Sequence, residues 1–194
     1  MAALQQIFLG YPSAGGSSLT FDPAQKTASV TLSNGNLTAS SSNGSGWSYV
    51  LGTVSKSTGK WAFGMDLTAN GTQAGLGIAP TVPGSEAAYN PGGNRYFTWY
   101  NGFFSNNGVD TAGDPWFGGT HRFIDCYVDL TNNKIAWYDG STWYNSANVS
   151  TGANMTAITA GTYFPMGVVQ SGSGPITIIP ACNFTIQTGY TAWA

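Results

Sequence analysis

Between residues 122 and 138 the chain alternates, turns and alternates again. Ile124, Cys126, Val128 and Leu130 form one row, and Phe123, Asp125, Tyr127 and Asp129 form the other. Successive side chains of a strand point to opposite faces, so a period of two specifies a strand with one face toward a core. Thr131-Asn132-Asn133-Lys134 reads as a hairpin turn and Ile135-Ala136-Trp137-Tyr138 as the antiparallel return. Asp139-Gly140 follows, a dipeptide favoured in tight turns because both positions tolerate positive φ. The first row is expected to face inward, and the second, with its two aspartates, to face solvent.

The same period recurs over residues 60–67. There Trp61, Phe63, Met65 and Leu67 share one side, and Lys60, Ala62, Gly64 and Asp66 the other. Further strands are predicted at 29–32, 37–41, 48–51, 75–79, 96–100, 163–169, 176–179 and 182–186. Asn-Gly pairs beginning at Asn34, Asn43, Asn70, Asn101 and Asn107 punctuate them. Residues 80–94 and 103–120 carry no period and read as loops. About a dozen short strands with regular turn signals predict an all-β fold, a two-layer antiparallel sandwich or a barrel.

Composition narrows the setting. Charged residues are only 7% of the chain, yet it holds seven Trp, ten Tyr and ten Phe. A disordered chain would show the reverse. A chain of 194 residues is long enough to bury a core without disulfides or metals. Cys126 and Cys182 match no zinc spacing and read as two buried thiols, with a disulfide as the alternative. Six Lys and Arg against eight Asp and Glu give a formal charge of −2 and no basic stripe, which argues against nucleic acid as a partner. No apolar run approaches the roughly 20 residues that span a bilayer, so membrane insertion is not expected. The first residues, Met1-Ala2-Ala3-Leu4-Gln5-Gln6, lack the basic and long apolar regions of a secretory signal. A neutral surface rich in hydroxyls and amides without that signal suits release by lysis with a virus particle.

Residues 1–18 stand apart from residues 19–194, which make the sandwich domain. Leu4, Ile7 and Phe8 fall at i, i+3 and i+4, Leu9 extends the apolar face, and Gly10, Pro12, Gly15 and Gly16 end it. Two readings are open: a strand or turn folded back on the domain, or an anchoring arm on a Gly/Ser tether that docks on a neighbouring subunit.

The order of the segments resembles the SPRY-like branch of concanavalin-type sandwiches, in the versions found among tailed-phage structural proteins. The matching pieces are Phe21-Asp22-Pro23, Val30-Thr31-Leu32-Ser33-Asn34-Gly35-Asn36-Leu37-Thr38, Thr58-Gly59-Lys60-Trp61, Gly75-Leu76-Gly77-Ile78-Ala79 and Thr98-Trp99-Tyr100-Asn101-Gly102. Asp125-Cys126-Tyr127-Val128-Asp129-Leu130 with Lys134-Ile135-Ala136-Trp137-Tyr138 comes next, then Gly140 and Trp143, Tyr163-Phe164-Pro165 and Asn183-Phe184-Thr185. The chain departs from the family pattern at Ala62, Phe63 and Gly64 and at Arg122-Phe123-Ile124. The resemblance implies a recognition or structural module with no cofactor. Some such domains bind peptides through loops at one end, and concanavalin-type relatives bind sugars.

Catalysis finds little support. A glycosidase needs two carboxyl groups roughly 5–9.5 Å apart. Glu86 is the only Glu, and Asp125 and Asp129 stand roughly 13 Å apart along one strand. His121 is the only His, and no Gly-x-Ser-x-Gly elbow accompanies it. Asp110 and Asp114 with Asn106 and Asn107 lack the spacing of a calcium loop. No catalytic residue, metal site or cofactor is assigned, and the protein is expected not to be an enzyme.

The candidate ligand-binding set is Tyr96, Trp99, Tyr100, Asn101, Asp114, Trp116 and His121, which combines rings for sugar faces with amides and carboxylates for hydroxyls. Its alternative is core packing of the aromatics. Leu4, Ile7, Phe8 and Leu9 are the candidate virion anchor. Three functions follow. One is a lectin-like appendage on a phage tail or fibre that meets a host-surface glycan. The second is a capsid decoration protein docked through its arm, and the third a cellular peptide-binding module. The first two place the chain in the virion, as a homo-oligomer or in many copies beside tail or capsid subunits.

Overall fold

The computed structural model describes residues 18–44, 46–67, 74–84, 93–99, 104–111, 123–170, 172 and 174–194. Among them the strands are β1 (Phe21–Lys26), β2 (Val30–Ser33), β3 (Thr38–Ser41), β4 (Trp47–Gly52), β5 (Lys60–Asp66), β6 (Ala74–Ala79), β7 (Tyr96–Trp99) and β8 (Phe104–Asn106). They continue with β9 (Val109–Thr111), β10 (Phe123–Asp129), β11 (Lys134–Tyr138), β12 (Thr156–Ala157), β13 (Phe164–Gln170), β14 (Ile176–Ile179) and β15 (Thr191–Ala192). One sheet has the order β1-β4-β13-β6-β7-β8-β9 and the other β12-β11-β10-β5-β14-β3-β2. The fold is the predicted two-layer antiparallel β-sandwich. One parallel pair is added where β15 lies beside Trp61 and Ala62 of β5.

The inward rows behave as their period requires. Ile124, Cys126 and Val128 of β10, Phe63 and Met65 of β5 and Trp137 of β11 meet Leu76 and Ile78 of β6 and Val50 of β4, all fully buried. Each such side chain contributes roughly 1.5–3 kcal/mol by leaving water. β10 is the hub of its sheet. It pairs with β5 along its whole length, Cys126 opposite Phe63, and with β11 on its other edge, Cys126 opposite Trp137.

The outward row of β10 corrects the expectation of solvated aspartates. Asp125 is 0% exposed, Tyr127 0% and Asp129 3%; only Phe123, at 45%, meets solvent. Chain returning after β11 and after β14 covers this face and builds a second apolar layer. In it Ala62, Tyr127 and Ala136 lie under Ala147, Val149, Met155, Cys182 and Tyr190. The other sheet has an outer layer too, made by Tyr49, Leu51, Phe97, Trp99, Met166 and Val168. Alternation along one strand reports which residues share a face. It does not report what distant chain lands on that face.

Three further expectations change. Residues 182–186 are not a strand, because the backbone N–H groups of Asn183 and Phe184 donate to the Asp125 carboxylate instead of to a ladder, and Cys182 takes a positive φ of 67°. Residues 104–111, read as loop, form the β8–β9 hairpin; its strands are too short to show a period, although Asn107 (φ 50°) and Gly108 (φ 90°) supply the turn. β1 is not among the predicted strands; it carries Pro23, which is tolerated on a sheet edge. The anchor residues Leu4, Ile7, Phe8 and Leu9 lie outside the described residues.

Both cysteines are free and buried. Cys126 belongs to the core between the sheets and Cys182 to the layer outside them. Burial pushes both thiols up, with the neighbouring Asp125 carboxylate adding to the effect. Thiolate is the reactive form. A thiol-reactive chromophore at pH 8 is therefore expected to label neither cysteine in the native protein and both in denaturant. Rapid labelling of native protein would contradict this packing.

Candidate functional site

The register of three strands brings together charges that are far apart in the chain. Asp129, the last residue of β10, lies opposite Lys60, the first of β5, and opposite Lys134, the first of β11. Directly paired residues share a face. The result is a Lys60–Asp129–Lys134 row across the end of one sheet, on its outer side.

Asp129 is fully engaged. Lys60 Nζ lies 3.2 Å from Oδ2, while Asn132 donates from its backbone N–H to Oδ1 (3.0 Å) and from Nδ2 to Oδ2 (2.8 Å). Burial pushes this carboxyl up, but the Asn132 hydrogen bonds and Lys60 together outweigh it and hold it below the usual range. Lys134 has a different partner: its Nζ donates to the carbonyl oxygen of Gly152, 2.7 Å away.

That carbonyl is set by an Asx turn. Asn148 Oδ1 accepts from Ser150 N–H (3.1 Å), Ser150 Oγ (2.7 Å) and Thr151 N–H (3.2 Å), and Gly152 N–H returns to the Asn148 carbonyl (2.7 Å). Gly152 has φ +74°, and a Cβ there would come 3.1 Å from Lys134 Nζ. Only glycine meets both demands without strain.

Row and turn enclose a hollow of about 400 Å³ lined by Lys60, Asp129, Asn132, Lys134, Ser150, Thr151 and Gly152. That volume is in the range of small-ligand sites. Two ammonium groups face one carboxylate, so the hollow has a surplus positive charge in a chain whose net charge is −2.

The Tyr190 ring, 5.5 Å from Lys60 Nζ, belongs to a segment held by Asp125. Asp125 accepts from Asn183 N–H (2.7 Å), Asn183 Nδ2 (2.9 Å) and Phe184 N–H (3.1 Å). Gly64 makes room for this clasp: a Cβ there would lie 2.5 Å from Asn183 Nδ2 and 2.5 Å from Asp125 Oδ1. Gly64→Ala is expected to lower stability by about 1–3 kcal/mol through overpacking. Urea unfolding measures it, and an unchanged midpoint would refute the close approach.

The binding set expected from sequence does not assemble in its described part. Tyr96 is buried between the sheets, where its hydroxyl donates to Thr159 Oγ1 (2.9 Å) and accepts from Thr159 N–H (2.8 Å). Trp99 points to the other face of β7 and packs on Phe97, ring centroids 4.8 Å apart. Strand geometry thus keeps the two from lining one surface. Tyr100, Asn101, Asp114, Trp116 and His121 lie outside the described residues. The hollow itself has little signature in the sequence. Its one signal is a strand that ends in Asp beside strands that begin with Lys, and this becomes visible only when β5 is known to pair with β10.

No family model matches the chain, and no curated protein matches its sequence. Solved structures do resemble it. The SPRY domain of human HERC1 aligns with a TM-score of 0.61 and 16% identity over 86% of this chain and 99% of that one. The TRIM65 PSpry domain aligns at 0.57 and 16% over 84% and 92%. The stonustoxin structure aligns at 0.56 and 15%, covering 84% of this chain but 27% of the toxin chain. At this identity the likeness establishes a SPRY-like sandwich.

Proposed function

We propose that the chain is a non-enzymatic binding module whose ligand occupies the hollow above the Lys60–Asp129–Lys134 row. The observation that carries this reading is the lining: six of its seven residues have polar side chains, and the turn that closes it is locked by its own hydrogen bonds. A pre-formed concavity with convergent polar groups is the usual form of a recognition site. The two carboxylates of β10 fit this reading, since both are buried with hydrogen-bond donors on their oxygens.

The setting we favour is an appendage on a virus particle that meets a host-surface glycan, in keeping with the order of the sequence segments and the low charge. Hydroxyl, amide and ammonium groups are the donors that sugar hydroxyls require. A cellular peptide-binding module is the second reading, favoured by the likeness to the SPRY domains of HERC1 and TRIM65.

Ser150→Trp, which places an indole over the hollow from an exposed turn position, is the test. Immobilised wild-type protein is expected to retain a subset of an array of glycans and peptides, and the variant to lose that subset by at least about tenfold, a ΔΔG of about 1.4 kcal/mol. Equal binding by the two proteins would move the site elsewhere.

A further inference from the structure

The charges of the hollow are not balanced evenly, and this says what should bind there. Asp129 is matched by Lys60 and by two donors of Asn132. Lys134 has the dipole of a carbonyl group for a partner, not a carboxylate. An ammonium group offers three donors, and the hydrogen bond to Gly152 uses one. Lys134 therefore presents donors and an unmatched charge to whatever enters.

From this we infer that the hollow recognises an acidic saccharide, whose carboxylate pairs with Lys134 while its hydroxyls meet Ser150, Thr151 and Asn132. The inference rests on the reading of the hollow as the ligand site. Charge-assisted hydrogen bonds to a carboxylate are about twice as strong as neutral ones. Ser150 Oγ donates to Asn148 Oδ1 and so accepts from a ligand hydroxyl. Asn132 donates its amide to Asp129, which leaves its carbonyl oxygen as an acceptor. No aromatic and no wholly aliphatic residue lines the hollow, and most of its lining is polar. An apolar ligand group there would displace water from polar atoms without replacing its hydrogen bonds. A sugar acid, with a carboxylate and a hydroxyl on most ring carbons, brings hydrogen-bonding partners for Lys134, Ser150 and Asn132. A peptide's aliphatic stretches would find only the minor apolar share of this lining to pack on.

Calorimetric titration of the whole chain at low salt tests it, with a galacturonic acid trimer, the uncharged galactose trimer and a glutamate-rich peptide as probes. The acidic trimer is expected to bind at least about tenfold tighter than the neutral one, a ΔΔG of about 1.4 kcal/mol. The preference should weaken as salt rises. Lys134→Gln should erase it and Lys134→Arg should keep most of it, with thermal unfolding of both variants confirming that the fold is intact. Equal affinity for the two trimers, blocked by Ser150→Trp, would overturn the acidic preference and leave the binding module standing. Binding of the peptide alone would overturn the saccharide. Silence toward all three probes would overturn the saccharide, and equal array signals from wild type and Ser150→Trp would take the hollow itself with it.

Discussion

Trp193→Ala is expected to destabilise the protein by about 3–5 kcal/mol, the cost of removing a large aromatic side chain from a closed core. Trp193 is fully buried in the layer between the sheets, its ring edge-on to Phe63 with centroids 5.6 Å apart. Its indole N–H donates to the Val54 carbonyl (2.8 Å), and its backbone N–H to the Ala62 carbonyl (2.8 Å), next to the parallel pairing of Thr191 and Ala192 with β5. Truncation leaves a cavity and removes the indole donor from the Val54 carbonyl, so two penalties add. Trp193→Phe separates them: it keeps most of the volume and loses the indole donor, for which about 1 kcal/mol is expected. Urea unfolding should show a lower midpoint at unchanged slope. A loss under about 1 kcal/mol for the alanine variant would mean that the core closes without this residue.

The second large effect belongs to Asp125. Replacing it with Ala is expected to cost about 3 kcal/mol, because it orphans donors that were bonded to a charged group in a buried site. Those donors are the N–H groups of Asn183 and Phe184 and the Asn183 amide. Native-state hydrogen exchange should report the loss first at Asn183 and Phe184. Unaltered exchange there would sink the clasp. The pH dependence has a definite sign. Burial raises the Asp125 carboxyl, and the hydrogen bonds from Asn183 and Phe184 offset only part of that rise. A folded value above the ordinary 3.8 means that the native state holds the proton more tightly, so stability from this group falls as pH rises from 3.8 toward the raised value. Asp129, held below the ordinary value, acts in the opposite sense: its contribution is complete above 3.8 and fades as pH drops through its folded value. Asp125→Asn should therefore flatten the acid-side decline in stability with rising pH. A wild-type profile that rises through that window to the same extent as the variant would contradict the assignment.

The candidate site was legible only in fragments. Thr131-Asn132-Asn133-Lys134 was evident as a turn, and the hairpin pairing brings Lys134 beside Asp129. Lys60 could not be placed, since β5 reaches β10 through pairing between segments far apart in the chain. Ser150 and Thr151 carry no such mark, since the Asn148 turn that aims them at the row has no period to betray it. Conversely, Tyr96 and Trp99 read as a cluster because they are close in sequence, but the pleat of β7 sends them to opposite faces.

The sequence by itself determined the class of fold and the positions of most strands, because backbone geometry ties a period of two to extended chain, and Asn-Gly pairs tie turns to positive φ. It also determined which rows face the core: Ile124, Cys126, Val128, Phe63 and Met65 are where their alternation put them. Only the tertiary structure decided that both faces of β10 are buried, that the aspartates serve as anchors instead of solvated charges, and that two lysines and a carboxylate meet at the end of one sheet. The physical reason is range. A side chain's direction is set by its own backbone, whereas its partners are set by which distant segments arrive, and one strand's pattern carries no record of them.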